Sequence, residues 1–434
     1  MALIAHQGEI LHCIEDPLQD NNGAWEYFEN GLLLTEDGYI INCGEEDCLV
    51  KQLPQDAKII RHEHGLIIPG FIDTHVHYPQ TEVIASYGKR LIEWLEQYTF
   101  PAEMAFADPE KCRVMSEFFI RELLRNGTTS AMVFATVHPQ SVDAFFEQAI
   151  RLNMRMICGK VMMDRNAPDD LTDTALSSYE QSRELIQRWH GKGRLGYAVT
   201  PRFAITSSAE QLESASQLLN EFQDLHFQTH LAENPEECDL VREFFPDCQD
   251  YLDVYDRYSL LGRKSIFAHG IHLSDREWLR LRETESSIAY CPASNLFIGS
   301  GLFNLEKADQ YGVRVGMGTD VAGGDSFSML RTTNQAYKVQ QLNQFNISPI
   351  RSLYMSTLGG ARALDLDRYI GNFEKGKEAD FVILDYAPTD LIRLRLHNVS
   401  SVIERLFVLQ MLGDDRTIRE TWVMGNKVHA NDLH

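Results

Sequence analysis

The middle of this chain alternates eight short apolar segments with helix-like segments, and this alternation limits the possible folds more than any other feature. The strand-like segments are 66–72, 128–134, 156–163, 195–199, 225–229, 265–268, 287–290 and 313–318. The helix-like segments are 109–125, 141–152, 174–189, 208–222, 235–245, 274–282, 305–311 and 327–341. Strands that alternate with helices favour a parallel sheet, and eight such units predict a (β/α)8 TIM barrel.

Both ends of the chain are instead rich in short strands and turns. Residues 31–41 predict a hairpin with Asp37-Gly38 at its turn, and residues 376–384 and 421–428 are strand-like. We therefore predict an α/β fold in which the N- and C-terminal segments together form a small β-sandwich domain beside the barrel. The predicted boundaries are 1–67 and 369–434 for the small domain and 68–368 for the barrel.

The composition argues against several classes of partner. The formal net charge of −23 repels phosphate backbones and anionic lipid, so we expect neither nucleic acid nor a membrane surface as a partner. The first residues lack the basic and apolar regions of a secretory signal, and no apolar run of about 18 residues predicts a membrane span. Eight scattered cysteines without a Cys-x-x-Cys pair indicate a reduced, cytoplasmic chain.

Metal-ligand residue types follow four of the predicted strands. Strand one leads into His75 and His77, strand five into His230, strand six into His269 and strand eight into Asp320. Barrel active sites lie at the carboxyl ends of the strands, and alternate residues of a strand share a face, so these side chains should converge. Three histidines and one carboxylate suit zinc with one position left for water. The sequence therefore predicts a zinc site at the mouth of the barrel.

Two further positions at the barrel mouth carry chemistry. Glu233 lies three residues beyond His230, close enough to move a proton without being a ligand. Arg202 and Phe203 follow strand four as a donor fork beside an aromatic ring, which fits the O6/N7 edge and the face of a guanine base. They fit an ordinary ion pair beside a core aromatic residue equally well, so the pattern leaves both interpretations open.

The remaining histidines have plainer interpretations. His62 and His64 form a second His-x-His pair, but in a polar stretch before strand one, and we expect them at a solvated surface. His272 should lie on the loop after His269 in a capping or supporting position, and His138 is left open. We expect the others in the surface or the core: His6, His12, His190, His226, His397, His429 and His434.

Seven motifs carry a family resemblance over nearly the whole chain. They lie at residues 69–80 (PGFIDTHVHYPQ), 93–103 (EWLEQYTFPAE), 201–203 (PRF), 230–234 (HLAEN), 267–273 (FAHGIHL), 291–295 (CPASN) and 316–320 (GMGTD). In these motifs the chain resembles the amidohydrolase superfamily. Residues 93–103 and the Arg202-Phe203 pair are more specific and resemble the guanine deaminases within it.

The resemblance implies hydrolytic deamination of guanine to xanthine and ammonia, in an enzyme that is commonly a homodimer. Other members bind two metals through a lysine at the end of strand four, where this chain has Thr200 and Pro201, so the resemblance implies one zinc ion per chain. It assigns His75, His77, His230 and Asp320 as ligands; His269, Asp320 and Glu233 as groups acting on the water and the ring; and Gln80, Arg202, Phe203 and His230 as the purine site.

Two alternatives remain. A related amidohydrolase could act on another heterocycle, such as a triazine, a pterin or an adenosine-type substrate, because the zinc set serves any such hydrolysis. A non-catalytic barrel could instead serve as a scaffold, although such a protein would be expected to have lost ligands.

Overall fold

The computed structural model describes residues 3–18, 23–54, 57–88 and 91–431. Its strands are β1 (Ile4–Cys13), β2 (Trp25–Glu36), β3 (Tyr39–Glu45), β4 (Lys58–Pro69), β5 (Phe71–His77), β6 (Thr128–Phe134), β7 (Arg155–Gly159), β8 (Val161–Met162), β9 (Gly196–Pro201), β10 (His226–Leu231), β11 (Ser265–His269), β12 (Ser287–Tyr290), β13 (Arg314–Met317), β14 (Phe381–Asp385), β15 (Ile418–Val423) and β16 (Asn426–Ala430).

The α-helices of the same residues are α1 (Glu46–Leu49), α2 (Leu91–Trp94), α3 (Phe100–Met104), α4 (Pro109–Arg125), α5 (Pro139–Arg151), α6 (Ala175–Trp189), α7 (Ala209–Glu221), α8 (Pro235–Phe244), α9 (Tyr251–Asp256), α10 (Asp275–Glu283), α11 (Pro292–Phe297), α12 (Leu305–Tyr311), α13 (Met329–Leu342), α14 (Pro349–Met355), α15 (Leu358–Ala363), α16 (Asp390–Leu396) and α17 (Val402–Leu412). None of these helices is both long enough and apolar enough to cross a membrane.

Eight parallel strands of the described residues form the barrel wall, in the order β5, β6, β7, β9, β10, β11, β12 and β13. Their residues are almost all buried, as expected for strands covered on both faces. The wall closes between its last and first strands, where the Thr74 hydroxyl donates to the Met317 carbonyl at 2.9 Å. The amide of Asp320 likewise donates to the His75 carbonyl at 2.9 Å. The predicted barrel is confirmed.

The predicted helices are present with bounds that differ by at most two residues. Capping residues set several of these starts: the Asp108 side chain accepts from the Glu110 amide at α4. At α10, Ser274 and Glu277 form a reciprocal capping box that satisfies two backbone donors. Local signals therefore position the helices that surround the barrel.

The terminal segments form a separate seven-stranded sheet, in the order β16, β15, β14, β4, β1, β2 and β3. Strand β14 runs antiparallel to β4 with Phe381 opposite Pro69, so the two ends of the chain share one sheet. Asp37 and Gly38 have positive φ angles of 52° and 89° at the β2–β3 turn, as a two-residue hairpin of this kind requires. The expectation that both termini build a separate β structure is confirmed, and this structure is a single sheet.

Two local predictions differ from the structure. The apolar segment 66–72, expected to be one barrel strand, contains the end of β4 in the terminal sheet and the start of β5 in the barrel. Because both strands are buried there, the apolar run continues across the junction. The C-terminal region, expected to be strands and turns, also contains α16 and α17, and α17 packs against α13 and α14 of the barrel.

Candidate active site

Three imidazoles and one carboxylate converge at the mouth of the barrel. The Nε2 atom of His77 lies 3.2 Å from Nε2 of His75 and 3.2 Å from Nε2 of His230. Oδ1 of Asp320 lies 3.2 Å from Nε2 of His75 and 3.5 Å from Nε2 of His77. One ligand atom from each of the four residues lies within 4.8 Å of the others.

The spacing of these atoms fits a common metal ion. Two ligands held about 2.0–2.1 Å from a zinc ion at a near-tetrahedral angle are separated by about 3.3 Å. Four of the six separations within the set, 3.2–3.5 Å, match that distance, and the other two are within 4.8 Å. Three nitrogen atoms this close together, each facing the others, would repel one another through their lone pairs unless a proton or a cation lay between them.

The histidines of this cluster are held in the form that binds a metal. Nδ1 of His230 donates to the backbone carbonyl of Arg202 at 2.7 Å, which leaves Nε2 with a free lone pair. Burial lowers the pKa of His75, and burial with neighbouring imidazoles lowers the pKa of His77 and His230 well below the usual value. All three imidazoles are therefore neutral at pH 7.

Asp320 is fixed by the closure of the barrel. Asp73 accepts hydrogen bonds from the amides of His75 at 3.2 Å and Thr319 at 3.0 Å, so it ties β5 to the loop after β13. Asp320 adopts a positive φ of 51°, an uncommon backbone conformation that often marks a functional site. Burial alone would raise the pKa of Asp320, but its histidine neighbours hold it well below its usual range. The carboxylate is thus ionised.

Glu233 and His269 lie beside this four-residue cluster. Nε2 of His269 lies 3.4 Å from Oε2 of Glu233 and 3.7 Å from Oδ2 of Asp320. Burial raises the pKa of Glu233, whereas the neighbouring His269 acts against this shift. Burial alone would lower the pKa of His269, but Glu233 and Asp320 raise it above its usual value. A carboxyl and an imidazole that can both exchange protons therefore face the same point.

Residues without a predicted role hold Glu233 and His269 in place. Oδ1 of Asn295 lies 2.8 Å from Nδ1 of His269, so that nitrogen donates and Nε2 is turned toward the cluster. The Ser300 hydroxyl donates to Oε1 of Glu233 at 2.9 Å, and Nε2 of His272 bonds the Ser300 carbonyl at 2.9 Å. His272 thus has the supporting position expected for it. Asn295 belongs to the 291–295 motif, whereas Ser300 carries no sequence signal.

Gln80 and Arg202 lie together on one side of the same cleft. Both bind Glu103: Nε2 of Gln80 donates to Oε1 at 2.9 Å, and Nη1 of Arg202 donates to Oε1 and Oε2 at 2.9 and 2.8 Å. Glu103 is fully buried and was assigned no role from the sequence, although it ends the 93–103 motif. Arg202 is therefore in a buried ion pair, and it also faces the cleft.

A cleft opens above the metal-ligand set. Its floor includes His77, His230 and Asp320, and its walls include Gln80, Arg202 and Phe203 with Glu233 and His269. Trp94, Leu95 and Ile298 supply apolar surface. All nine site residues predicted from the sequence thus lie in or directly behind one cavity, where a planar ring can meet both the metal-ligand set and the donor pair.

The other histidines of the described residues do not line this cavity. The expectation of a solvated surface was wrong for His62, which is buried in the terminal sheet and bonds His6 at 3.1 Å between ring nitrogens, whereas His64 is exposed. His62 faces the interior of the terminal sheet, whereas His64 has a positive φ of 56° and departs from the regular strand alternation of β4. His138 is the half-buried N-cap residue of α5, His226 is a core residue bonded to the Leu364 carbonyl, and His434 lies outside the described residues.

Comparisons with known proteins agree with this geometry. Residues 66–428 match the model of the amidohydrolase family. The guanine deaminase of Escherichia coli is 53% identical over 424 residues, which cover 98% of this chain and 96% of that protein. A solved structure of the E. coli guanine deaminase has a TM-score of 0.97 at 52% identity and covers 99% of this chain and 100% of that chain.

More distant structures retain the same fold. A guanine deaminase from C. acetobutylicum with guanine bound in its active site has a TM-score of 0.89 at 27% identity and covers 98% of this chain and 100% of that chain. An adenosine deaminase from Xanthomonas campestris has a TM-score of 0.85 at 22% identity over 100% of this chain and 94% of that chain, which establishes the shared fold alone.

Proposed function

This chain belongs to the amidohydrolase family and, within it, to the guanine deaminases, and on that premise we propose that its three-histidine, one-aspartate set holds a single zinc ion. The reaction is the hydrolysis of guanine to xanthine and ammonia. The observation that carries the zinc proposal is the convergence of neutral imidazoles and one ionised carboxylate at 3.2–3.5 Å beneath the cleft. The mixed nitrogen and oxygen donors suit zinc, and a water would be a fifth ligand beside these four.

A bound zinc ion would lower the pKa of a water molecule from 15.7 toward about 7. The protein's own residues handle the protons. Asp320 accepts a proton from the attacking water, and His269 holds that water by a hydrogen bond through its inward-facing Nε2. The water oxygen forms a bond to C2 of guanine, where the amino group is attached.

Glu233 completes the proton transfers. Its protonated carboxyl group delivers a proton to ring N3 as C2 becomes tetrahedral. The proton that Asp320 took from the water then reaches the amino nitrogen through Glu233, so the C2–N bond breaks and ammonia leaves. The remaining hydroxyl proton restores the protonated form of Glu233 as the C2 carbonyl of xanthine forms. Burial raises the pKa of Glu233, which favours the protonated carboxyl that this transfer needs. The Ser300 hydroxyl, 2.9 Å from Oε1, holds the carboxyl in position for both transfers.

We assign Gln80, Arg202 and Phe203 to the purine, with His230 beneath its reacting edge. Arginine donors suit the O6/N7 edge of guanine, and an aromatic ring stacks on the base. All four residues line the cleft that contains Glu233. The ring would therefore lie with C2 over the metal-ligand set and with O6 toward Arg202.

Two statements about the cellular protein belong to the same proposal. We expect a homodimer, because closed twofold dimers are the commonest oligomers and this family is commonly dimeric. We expect a cytoplasmic enzyme, because all eight cysteines are free thiols, four of them buried. Light scattering during size-exclusion chromatography tests the first, and localisation of the tagged chain tests the second.

The decisive experiment measures ammonia release by the purified, zinc-loaded chain with guanine, adenine, cytosine, guanosine and a pterin in parallel. We expect rapid release from guanine, xanthine as the product, and loss of activity with a chelator. Turnover of another ring without turnover of guanine would retain the metal chemistry and overturn the substrate assignment.

A further inference from the structure

Glu103 connects the two polar residues that face the purine side of the cleft. Its carboxylate is fully buried and accepts from Nε2 of Gln80 and from Nη1 of Arg202, at 2.8–2.9 Å. The other end of the Gln80 amide is also engaged, because its Oε1 accepts from the Ala322 amide at 3.3 Å. Both hydrogen bonds fix which end of the amide faces which neighbour.

An ionised carboxylate can only accept hydrogen bonds. Paired with the Arg202 guanidinium, Glu103 therefore compels Gln80 to present its nitrogen and not its oxygen on that side. The Gln80 nitrogen carries one further hydrogen, and the guanidinium carries further N–H groups. Both residues line the cleft, so what they offer a ligand there is a set of donors.

We propose that Glu103 is a specificity-determining positioning residue, which fixes Gln80 and Arg202 as donors and so selects purines with an oxygen at C6. This inference rests on the proposed function, and it adds a reason for the choice of substrate. O6 and N7 of guanine are acceptors, whereas a 6-amino group is a donor. A 6-amino purine would place donor against donor in a buried site and leave both unpaired.

Two features show that this arrangement is built into the fold. Glu103 lies on α3, between the first barrel strand and α4, and is 99 residues from Arg202 along the chain. On the same helix, the ring of Phe100 lies 5.6 Å from the Arg202 guanidinium carbon and covers its face. The helix thus supplies both a charge partner and a surface against which the guanidinium is held.

The first test uses the unaltered enzyme with guanine and 2,6-diaminopurine. The second compound keeps the amino group at C2, so the same bond is hydrolysed, but it carries an amino group in place of O6 and lacks the hydrogen on N1. We expect kcat/KM to favour guanine by at least about 100-fold, since each well-placed base contact discriminates strongly. Comparable kcat/KM values would overturn the inference while leaving guanine deamination intact. Absence of turnover with guanine would overturn the proposed function itself.

The second test is Glu103→Gln, because an amide at this position can donate as well as accept. Arg202 then loses its charged partner, and only the Ala322 amide still orients Gln80, so we expect the preference for guanine over 2,6-diaminopurine to fall at least tenfold. This fall in preference should come mainly from changes in the KM values of the two substrates, and kcat for guanine should be retained within about threefold. Glu93→Gln makes the same replacement at an exposed carboxylate of the same motif and should leave the preference unchanged.

Metal content and thermal stability distinguish this role from a merely structural one. A variant that loses stability or zinc but keeps the wild-type preference would contradict the proposal. Glu103→Asp retains an ionised acceptor and should keep the preference within about threefold, even if KM rises. Should Glu103→Gln fail to fold, this variant and the wild-type ratio decide the question, because relaxed selection in either one contradicts the proposal.

Discussion

Oε2 of Glu237 accepts a hydrogen bond from the backbone amide of Glu233 at 2.9 Å. The same oxygen accepts from the Asn234 amide at 3.0 Å, and Oε1 accepts from the Tyr251 hydroxyl at 2.6 Å. A buried carboxylate in the first turn of α8 thus fixes the peptide that carries Glu233, the residue proposed to transfer protons. We expect the position of the Glu233 carboxyl to depend on this second acid.

Replacing Glu237 tests that dependence. Glu237→Ala leaves two backbone donors and a tyrosine hydroxyl without their acceptor, so we expect kcat for guanine to fall by roughly 10- to 100-fold with zinc still bound. Glu237→Gln can still accept from both amides and should retain most of the activity. Equal activity in the two variants, measured by xanthine formation, would show that the carboxylate does not position Glu233.

The role of Glu233 itself is tested by Glu233→Gln. The amide keeps the shape and the Ser300 contact but cannot take up and deliver the proton, so we expect kcat to fall by roughly 10²- to 10⁴-fold. Zinc content should stay at the wild-type level, because Glu233 is not one of the four proposed zinc ligands. Near-normal turnover in a zinc-loaded sample would eliminate the proton-transfer role.

The two His-x-His pairs provide a matched test of the metal site. His77→Asn removes a ligand at the centre of the cluster, so we expect elemental analysis to find zinc largely lost and the melting temperature lowered, because a bound metal stabilises the folded state. His64→Asn makes the same change at an exposed residue whose φ of 56° asparagine tolerates. It should keep one zinc per chain. Equal zinc loss in both variants would place the metal elsewhere.

The buried histidine pair of the terminal sheet predicts a loss of stability in acid. Burial and the neighbouring His62 lower the pKa of His6 to about 3, and burial lowers the pKa of His62 to about 4. In the unfolded chain both titrate near 6.5, so below that pH the unfolded state binds more protons and the free energy of unfolding falls. For His6 the loss between pH 7 and pH 5 is on the order of 2 kcal/mol.

The variant that isolates this effect is His6→Phe, which keeps a ring against Phe381 and Trp422 but cannot be protonated. We expect urea unfolding at pH 7 and pH 5 to show a smaller loss of stability in this variant than in the wild type. His397→Phe, at an exposed histidine, should keep the full wild-type dependence. An unchanged pH dependence in His6→Phe would contradict the assignment.

Much of the site was predictable because short sequence patterns identify its residues. His75 and His77 share a face of one strand, and His230, His269 and Asp320 each end or follow another, so the rule that parallel strands expose their carboxyl ends together brings them to one point. Helix starts such as Asp108 and Ser274 were equally visible, since caps act within one turn. The comparisons confirm the fold predicted from these patterns and the reaction that the family resemblance implied.

The partners of those residues were not predictable in the same way. In the sequence, nothing in the residue type distinguishes Glu103, Asn295 and Ser300 from other polar residues. The polar neighbours of His62 predicted a surface position for it. Each acquires its importance from contacts with residues far along the chain: Glu103 with Arg202, Ser300 with Glu233, and His62 with His6. No local sequence pattern indicates contacts between residues so far apart along the chain.

The sequence by itself therefore determined the alternation of strands and helices, the barrel that follows from it, and the ligand types at the strand ends. Only the tertiary structure decided the spacing of the donor atoms, the ionic state of the buried groups and the direction in which Gln80 and Arg202 present their hydrogens. The physical reason is that periodicity and capping act over a few residues, whereas burial and pairing depend on which distant segments the closed barrel brings into contact.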